Sequence, residues 1–184
     1  GEVSHQLEVD RPKIQSSLIE RITFWFGLVS LILAVYYKVA TKRGLFILNP
    51  CHITLLIMLV LLRTEDNSSS FMRKLHAVWT AWLFGAFGAL YFPHLEDVSL
   101  GEFLLYYFEH IVIWPLGPII LHRRYGMFMP GFKDNWASFG TFGAHQTLIL
   151  VPLGRWLKVN LNFALCHSPA EPFFPSFGYH YFSI

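Results

Sequence analysis

The chain has 184 residues, of which 54% are hydrophobic and 14% are charged, and its formal net charge is +2. Soluble domains carry about 25% charged residues, so this composition argues against a soluble protein. The small net charge and the scattered basic residues argue against a nucleic-acid partner, and two cysteines give no disulfide framework.

Five apolar runs with few charged residues predict an all-α, multi-pass helical integral membrane protein. A spanning helix needs about 20 mostly apolar residues, and its backbone hydrogen bonds must close within the segment. The predicted spans are Ile22–Tyr37, Gly44–Leu62, Leu75–Leu95, Phe103–His122 and Asn135–Gly154. A sixth apolar segment, Val159–Leu165, is too short to span as it stands and is expected to be partial.

The domain organisation follows from these runs. A polar N-terminal segment, residues 1–20, precedes one helical membrane domain, residues 21–184, which is expected to be incomplete at its C-terminus, as in a fragment of a longer protein. Lys and Arg are more numerous in the loops on the side of the N-terminal segment, which favours a cytosolic position for that side. The acidic loop that holds Glu96 and Asp97 is then expected to face the lumen or the outside.

The tetrad Asn49-Pro50-Cys51-His52 lies near the start of the second span. Asn is a good N-cap and Pro suits the first helical position, so Cys51 is expected in the first helical turn. There the unpaired amide groups and the helix dipole favour a thiolate, and a neighbouring imidazole can take the thiol proton. The tetrad therefore predicts a catalytic nucleophile, with an inert core cysteine as the alternative.

Ionisable groups at membrane depth are costly, so each one is a functional candidate. His110 is the first choice for a catalytic base because it is expected at the same depth as Cys51, and the neighbouring Glu109 can orient its ring. His145 is the second choice, with a structural hydrogen bond to a neighbouring helix as its alternative. His76, near the end of its span, is expected to be interfacial and solvated.

The remaining polar residues of the apolar segments are candidates for substrate binding. They are His52, Glu109, Asn160 and Asn162. No C-x-x-C or H-E-x-x-H spacing is present, so neither a metal site nor a cofactor is expected.

Three blocks of sequence resemble the transmembrane protein 164 family. They are Phe46-Ile47-Leu48-Asn49-Pro50-Cys51-His52, Tyr106-Tyr107-Phe108-Glu109-His110, and Val159-Asn160-Leu161-Asn162-Phe163-Ala164-Leu165-Cys166. The segment Glu171-Pro172-Phe173-Phe174 fits the same family, and the resemblance runs from about Ser17 to Phe174.

This resemblance implies a multi-pass acyltransferase that moves polyunsaturated acyl groups, notably arachidonoyl, into ether phospholipids, with a link to ferroptosis. It implies that Cys51 is the required cysteine, and a fold like that of intramembrane hydrolases of fatty-acid esters of hydroxy fatty acids. The expected partners are membrane phospholipids and lysophospholipids, and the expected location is the endoplasmic reticulum or the Golgi. The alternative function is a transporter, channel or lipid-binding scaffold, in which the polar residues line a pathway and Cys51 is incidental.

Overall fold

The computed structural model describes residues 16–65, 69–91, 93, 99–125, 132–159 and 161, and all regular secondary structure within them is helical, as predicted. The α-helices are α1 Leu18–Ala40, α2 Pro50–Arg63, α3 Ser70–Tyr91, α4 Leu100–Ile111, α5 Gly117–Tyr125, α6 Phe132–Ala144 and α7 Val151–Leu157. A 3-10 helix, Gly44–Leu48, precedes α2. The π-helical segments Val112–Leu116 and His145–Leu150 join α4 to α5 and α6 to α7.

Helix α1 begins with a capping box. The Ser17 hydroxyl accepts a hydrogen bond from the Glu20 amide at 3.2 Å, and the Glu20 carboxylate accepts one from the Ser17 amide at 3.1 Å. Each side chain thus satisfies an amide group that the helix leaves unpaired. For this reason the helix starts about one turn before Ile22, where the predicted apolar run begins.

Side-chain contacts at both ends of α1 fix its direction relative to the α4–α5 segment. At one end Lys38 Nζ lies 3.9 Å from Glu102 Oε1, so the end of α1 is beside the start of α4. At the other end Arg124 Nη1 donates to Glu20 Oε2 at 2.9 Å, so the end of α5 is beside the start of α1. Helix α1 is therefore antiparallel to the α4–α5 segment.

The second end of the bundle is also tied to α2. The Tyr125 hydroxyl donates to the carbonyl oxygen of Leu61 at 2.9 Å, and the Arg124 guanidinium donates to the carbonyl oxygen of Thr64. These carbonyl groups lie at the C-terminal end of α2, where the helix leaves acceptors unpaired. The polar C-terminal end of α5 therefore supplies hydrogen-bond donors to the carbonyl groups at the C-terminal end of α2.

The α4–α5 segment bends at Trp114, whose φ of −141° and ψ of 118° are not helical. Pro115 follows it, and a proline ring disfavours the helical conformation of the residue before it. Beyond the bend, Gly117 packs so closely that a Cβ atom there would lie 2.8 Å from the Trp79 ring and 2.9 Å from Met58 Sδ. The bend thus brings α5 against α2 and α3.

Two apolar clusters hold the bundle together. The main cluster joins α2, α3 and α4–α5 and contains Leu55, Met58, Leu59, Leu61, Leu62, Trp79, Leu83, Ala86, Val112, Ile113, Ile120, Leu121 and Tyr125. A second cluster is built on the buried Leu150 and Leu161 and packs Leu45, Phe46 and Leu48 of the 3-10 helix against α7. The segment just before Cys51 is therefore held from the α7 side.

Two helical segments, Leu18–Ala40 and Leu100–Tyr125, are long and apolar enough to cross a membrane. Helix α2 is apolar but has only 14 residues. The prediction of a membrane protein is therefore supported, whereas five spans remain a prediction. The partial sixth segment, Val159–Leu165, lies mostly outside the described residues.

Candidate active site

Cys51 occupies the first turn of α2, as the sequence predicts. Asn49 stands at the N-cap with φ −59° and ψ 143°, and Pro50 is the first helical residue. The Asn49 side chain differs from the prediction, because it makes no capping hydrogen bond and its Oδ1 is buried without a partner among the described residues. Within that same part of the chain, no backbone carbonyl accepts the Cys51 amide hydrogen. A free amide donor therefore sits beside the thiol, where it favours negative charge.

His52 links the thiol to a buried carboxylate. Its Nδ1 atom lies 3.0 Å from Cys51 Sγ and 3.2 Å from Glu109 Oε1. His52 is 7% exposed and Glu109 is 2% exposed. Both residues were expected to bind substrate, and Glu109 was also expected to orient His110. In the structure Glu109 faces His52 instead, and the adjacent thiol, imidazole and carboxylate form one polar cluster.

His110, on α4, lies close enough to the Cys51 thiol to interact with it electrostatically. Its Nδ1 lies 2.7 Å from the carbonyl oxygen of Tyr106. A carbonyl oxygen only accepts, so Nδ1 carries the hydrogen in this contact. The other ring nitrogen, Nε2, is buried and receives no hydrogen bond within the described part of the chain. In the neutral ring this nitrogen has a free lone pair and is able to take a proton.

Tyr106 fixes the position of His110 from two sides. Its ring centroid lies 4.1 Å from that of His110, and its hydroxyl donates to the carbonyl oxygen of Ala89 at 2.6 Å. The aromatic ring therefore anchors α4 to the end of α3 while covering the imidazole. This contact limits the rotation of the His110 ring.

The family model described as the TMEM164 family matches residues 8–184 of the chain. The chain belongs to the TMEM164 family. This confirms the resemblance seen in the sequence blocks, and the match extends beyond the range from Ser17 to Phe174 in which those blocks lie. No solved structure matches the chain.

In this TMEM164-family chain, His145 is buried but stands apart from the cluster around Cys51. It opens the π-helical segment between α6 and α7, it is 6% exposed, and its ring centroid lies 5.1 Å from that of Trp82. Neither of its nitrogens hydrogen bonds to a described side chain, and no hydrogen bond or ring contact joins it to Cys51. It lies near the Leu48 backbone, in the segment that leads to Cys51.

Two candidate residues cannot be placed. Asn160 and Asn162 lie outside the described residues, as does the second cysteine, Cys166. The described residue between the two asparagines, Leu161, is fully buried and packs in the second apolar cluster.

The expectation that His76 is solvated is wrong. Its side chain is 5% exposed and stacks against Trp79 and Tyr125, with ring centroids 6.0 Å and 5.1 Å away. The helix containing His76 packs against α5, so the residue faces the core although it lies near the start of α3. His76 therefore belongs to the structural end of the bundle, away from Cys51.

The donor atoms of Cys51, His52 and Glu109 all lie within 4.8 Å of one another. Thiolate, imidazole and carboxylate groups are the ligand types that Zn²⁺ takes in proteins. Sequence spacing predicted no metal site because the donors come from two helices, α2 and α4. No short motif in the sequence joins Glu109 to Cys51 and His52.

Proposed function

We propose that this TMEM164-family chain is a membrane-embedded acyltransferase that moves polyunsaturated acyl chains between phospholipids, including ether lysophospholipids, through a thioester on Cys51. The observation that supports this proposal is the convergence of the Cys51 thiol with the imidazoles of His52 and His110 at a helix start. A nucleophile needs a base nearby. His52 Nδ1 lies at hydrogen-bond distance from the sulfur, and His110 is the second candidate.

The first half of the reaction transfers the acyl group to the enzyme. His110 Nε2 takes the thiol proton, and Cys51 Sγ attacks the ester carbonyl of the donor phospholipid. The amide group of Cys51 is available to donate a hydrogen bond to the oxyanion that forms, a contribution that is often the largest in acyl transfer. The carbon–oxygen bond to glycerol then breaks, and the imidazolium of His110 protonates the departing lysophospholipid oxygen.

The second half returns the acyl group to another lipid. The hydroxyl group of an acceptor lysophospholipid gives its proton to His110 Nε2 and attacks the thioester carbonyl. The carbon–sulfur bond breaks, Cys51 leaves as a thiolate, and the proton on His110 restores the thiol. One histidine thus serves as base and then as acid in each half, which the free lone pair on Nε2 permits.

In this mechanism His52 and Glu109 position and stabilise the thiolate. His52 Nδ1 faces Cys51 Sγ at 3.0 Å, so a protonated His52 donates to the sulfur and balances its charge. Glu109, 3.2 Å from the same nitrogen, stabilises that proton on the ring. We assign Glu109 a positioning role because it acts through His52 and not on the reacting atoms.

A buried site favours transfer over hydrolysis. Water competes with the acceptor hydroxyl for the thioester, and an enclosed site excludes it. Cys51 is partly buried, and His52, Glu109 and His110 are buried around it. An acceptor that arrives through the lipid therefore meets the thioester with less competition from water.

We also propose that all five spans predicted from the sequence cross an endomembrane of the endoplasmic reticulum or the Golgi. Support comes from large apolar side chains that are exposed on the helices outside the two long spans. Phe84 is 69% exposed on α3, Leu148 is 73% exposed in the π-helical segment, and Trp156 is 79% exposed on α7. Lipid contact accounts for such exposure without the aggregation that water would cause.

The deciding experiment follows an acyl group in vesicles that contain the full-length protein. The donor is a phospholipid with a labelled arachidonoyl chain, and the acceptor is an ether lysophospholipid. The wild type should transfer the label and carry it transiently on a hydroxylamine-sensitive bond, as a thioester does. Cys51→Ala should lose both the bound label and the transfer, whereas the matched control Cys166→Ala should keep both.

The alternative function gives the opposite result. If Cys51→Ala transfers the label as fast as the wild type, the thioester mechanism is wrong. A transporter, channel or lipid-binding scaffold would then be the better assignment, and Asn160 and Asn162 would become the next residues to change.

A further inference from the structure

His52 Nδ1 faces two acceptors at once. It lies 3.0 Å from Cys51 Sγ and 3.2 Å from Glu109 Oε1, but a ring nitrogen carries at most one hydrogen. A single proton therefore satisfies the sulfur or the carboxylate, and Glu109 Oε1 receives no hydrogen bond in the described part of the chain. A cation placed among the three atoms would contact all of them.

The charge of the Cys51, His52 and Glu109 side chains also favours a bound cation. When the thiol and the carboxyl group are both ionised, the three donor groups hold two negative charges, and a protonated His52 balances only one of them. Lys38 pairs with Glu102 toward the end of the bundle. A buried carboxylate at 2% exposure is costly unless it is paired or coordinates a metal ion.

The ligand types and the distances between them fit thiophilic divalent cations such as Zn²⁺. Zn²⁺ lies about 2.3 Å from thiolate sulfur and about 2.0–2.2 Å from imidazole nitrogen or carboxylate oxygen, so tetrahedral ligand atoms are roughly 3.3–3.6 Å apart. The three donor atoms here lie within 4.8 Å of one another. Shifts of about 1 Å in these separations would give that spacing. A water molecule would complete the coordination, as in zinc sites with three protein ligands.

We propose that Cys51 Sγ, His52 Nδ1 and Glu109 Oε1 bind one thiophilic divalent cation of the Zn²⁺ type, and that this cation inhibits the protein by occupying the Cys51 thiolate. Coordination to Zn²⁺ withdraws electron density from the thiolate and blocks one side of the sulfur, so the sulfur attacks an ester carbonyl much more slowly. The inhibition rests on the proposed acyl transfer, but the binding of the cation does not.

The binding test uses Co²⁺ as a coloured substitute for Zn²⁺ and the metal-free full-length protein in nanodiscs. The wild type should develop a thiolate-to-cobalt charge-transfer band in the near ultraviolet, and added Zn²⁺ should remove it. Cys51→Ser should show no band. Glu109→Gln should weaken binding by about 100-fold or more, since even loss of an outer-shell partner costs 10–100-fold. His122→Gln, on α5, is the matched control and should bind like the wild type.

The inhibition test measures acyl transfer and the labelling of Cys51 by a membrane-permeant electrophile. Zn²⁺ should slow both, a chelator should restore both, and Mg²⁺ should affect neither because it prefers oxygen ligands. Absence of the band in the wild type, or its persistence in Cys51→Ser, would overturn the metal site. A wild-type band without any slowing of electrophile labelling would overturn the inhibition. If the band is present and metal-free protein transfers no acyl group, the proposed acyltransferase function fails and the metal site stands.

Discussion

The His110 imidazole and the Tyr106 carbonyl group are hydrogen-bonded across one turn of α4, with Nδ1 and O separated by 2.7 Å. The backbone of the helix thus selects the ring nitrogen that carries the hydrogen and leaves Nε2 as the base. A side chain held in this way does not need a separate carboxylate to orient it. This explains how Glu109 can face His52 while its neighbour His110 stays correctly placed.

His110→Ala should slow thioester formation and thioester resolution by about 10²–10⁴-fold, the usual contribution of a general acid–base group. Single-turnover assays with labelled donor measure the first step, and the chase with acceptor lysophospholipid measures the second. His122→Ala, on the same helical segment but with a partly exposed side chain, is the control. Wild-type rates for both steps in His110→Ala would remove His110 from the mechanism.

Glu109→Gln keeps the size of the side chain but removes the charge beside His52. We expect kcat to fall by at least about tenfold with little change in KM, because the carboxylate stabilises the proton on His52 and does not touch the lipid. Glu109→Asp should recover part of the loss. The control is Glu102→Gln, two turns earlier on the same helix, which should leave kcat and KM unchanged relative to each other. A rise in KM alone would instead indicate that Glu109 binds substrate.

The Glu20–Arg124 ion pair should contribute strongly to stability. Both side chains are buried, at 7% and 3% exposure, and their contact is 2.9 Å. Glu20→Ala should lower the free energy of unfolding by about 3–5 kcal/mol, since it removes the carboxylate that faces the buried guanidinium. Lys38→Ala removes the longer and more exposed pair with Glu102 and should cost about 1 kcal/mol or less. Equal losses in a denaturant titration of the two variants would contradict this assignment.

Gly117 should not tolerate a methyl group. Its added Cβ would meet the Trp79 ring at 2.8 Å and Met58 Sδ at 2.9 Å, so Gly117→Ala forces α5 away from α2 and α3. Overpacking of this kind costs about 1–3 kcal/mol. Gly140→Ala, in α6, meets no atom within 4 Å and should be neutral or stabilising by up to about 1 kcal/mol. Thermal melts in one detergent compare the two; a Gly117→Ala variant as stable as Gly140→Ala would show that this contact is loose.

The sequon Asn67-Ser68-Ser69 provides a test of topology. It lies in the loop between α2 and α3, which the distribution of Lys and Arg places in the cytosol, so Asn67 should carry no glycan. Asp97→Asn completes an acceptor sequon with Val98 and Ser99 in the loop predicted on the opposite side, and that variant should be glycosylated. Glycosidase-sensitive shifts in gel mobility report both sites. A shift that disappears in Asn67→Gln would reverse the predicted orientation.

Much of the helical framework follows from local sequence. Apolar runs located every long helical segment among the described residues, and Asn49-Pro50 marked the start of α2 because both residues act within one turn. The capping box of Ser17 and Glu20 is also a local sequence signal. It lies in a polar stretch, so a search for apolar runs does not include it. The bend at Trp114 was missed because the apolar run continues through Pro115.

The site was less predictable because it depends on which helix faces meet. The predicted span boundaries put Cys51 and His110 at a similar depth, and in the structure the two side chains are close enough to interact electrostatically. The pairing of His52 with Glu109 needs the rotation of α2 relative to α4, and the order of residues along the chain does not contain it. The burial of His76 depends in the same way on α5 packing against α3.

The distance of Cys51 from the Lys38–Glu102 pair has a consequence for the lipid substrate. His52 meets Glu109, which is two turns beyond Glu102, so Cys51 lies about 10 Å inward from the Lys38–Glu102 pair. Charged side chains of this kind belong among lipid head groups, a layer roughly 5–7 Å thick on each face of a bilayer. In the proposed membrane placement, Cys51 would lie a few ångströms beneath that layer, close to the plane of the acyl-ester carbonyls. A phospholipid would need to sink by only a few ångströms, without leaving the membrane, for its ester bond to reach the sulfur.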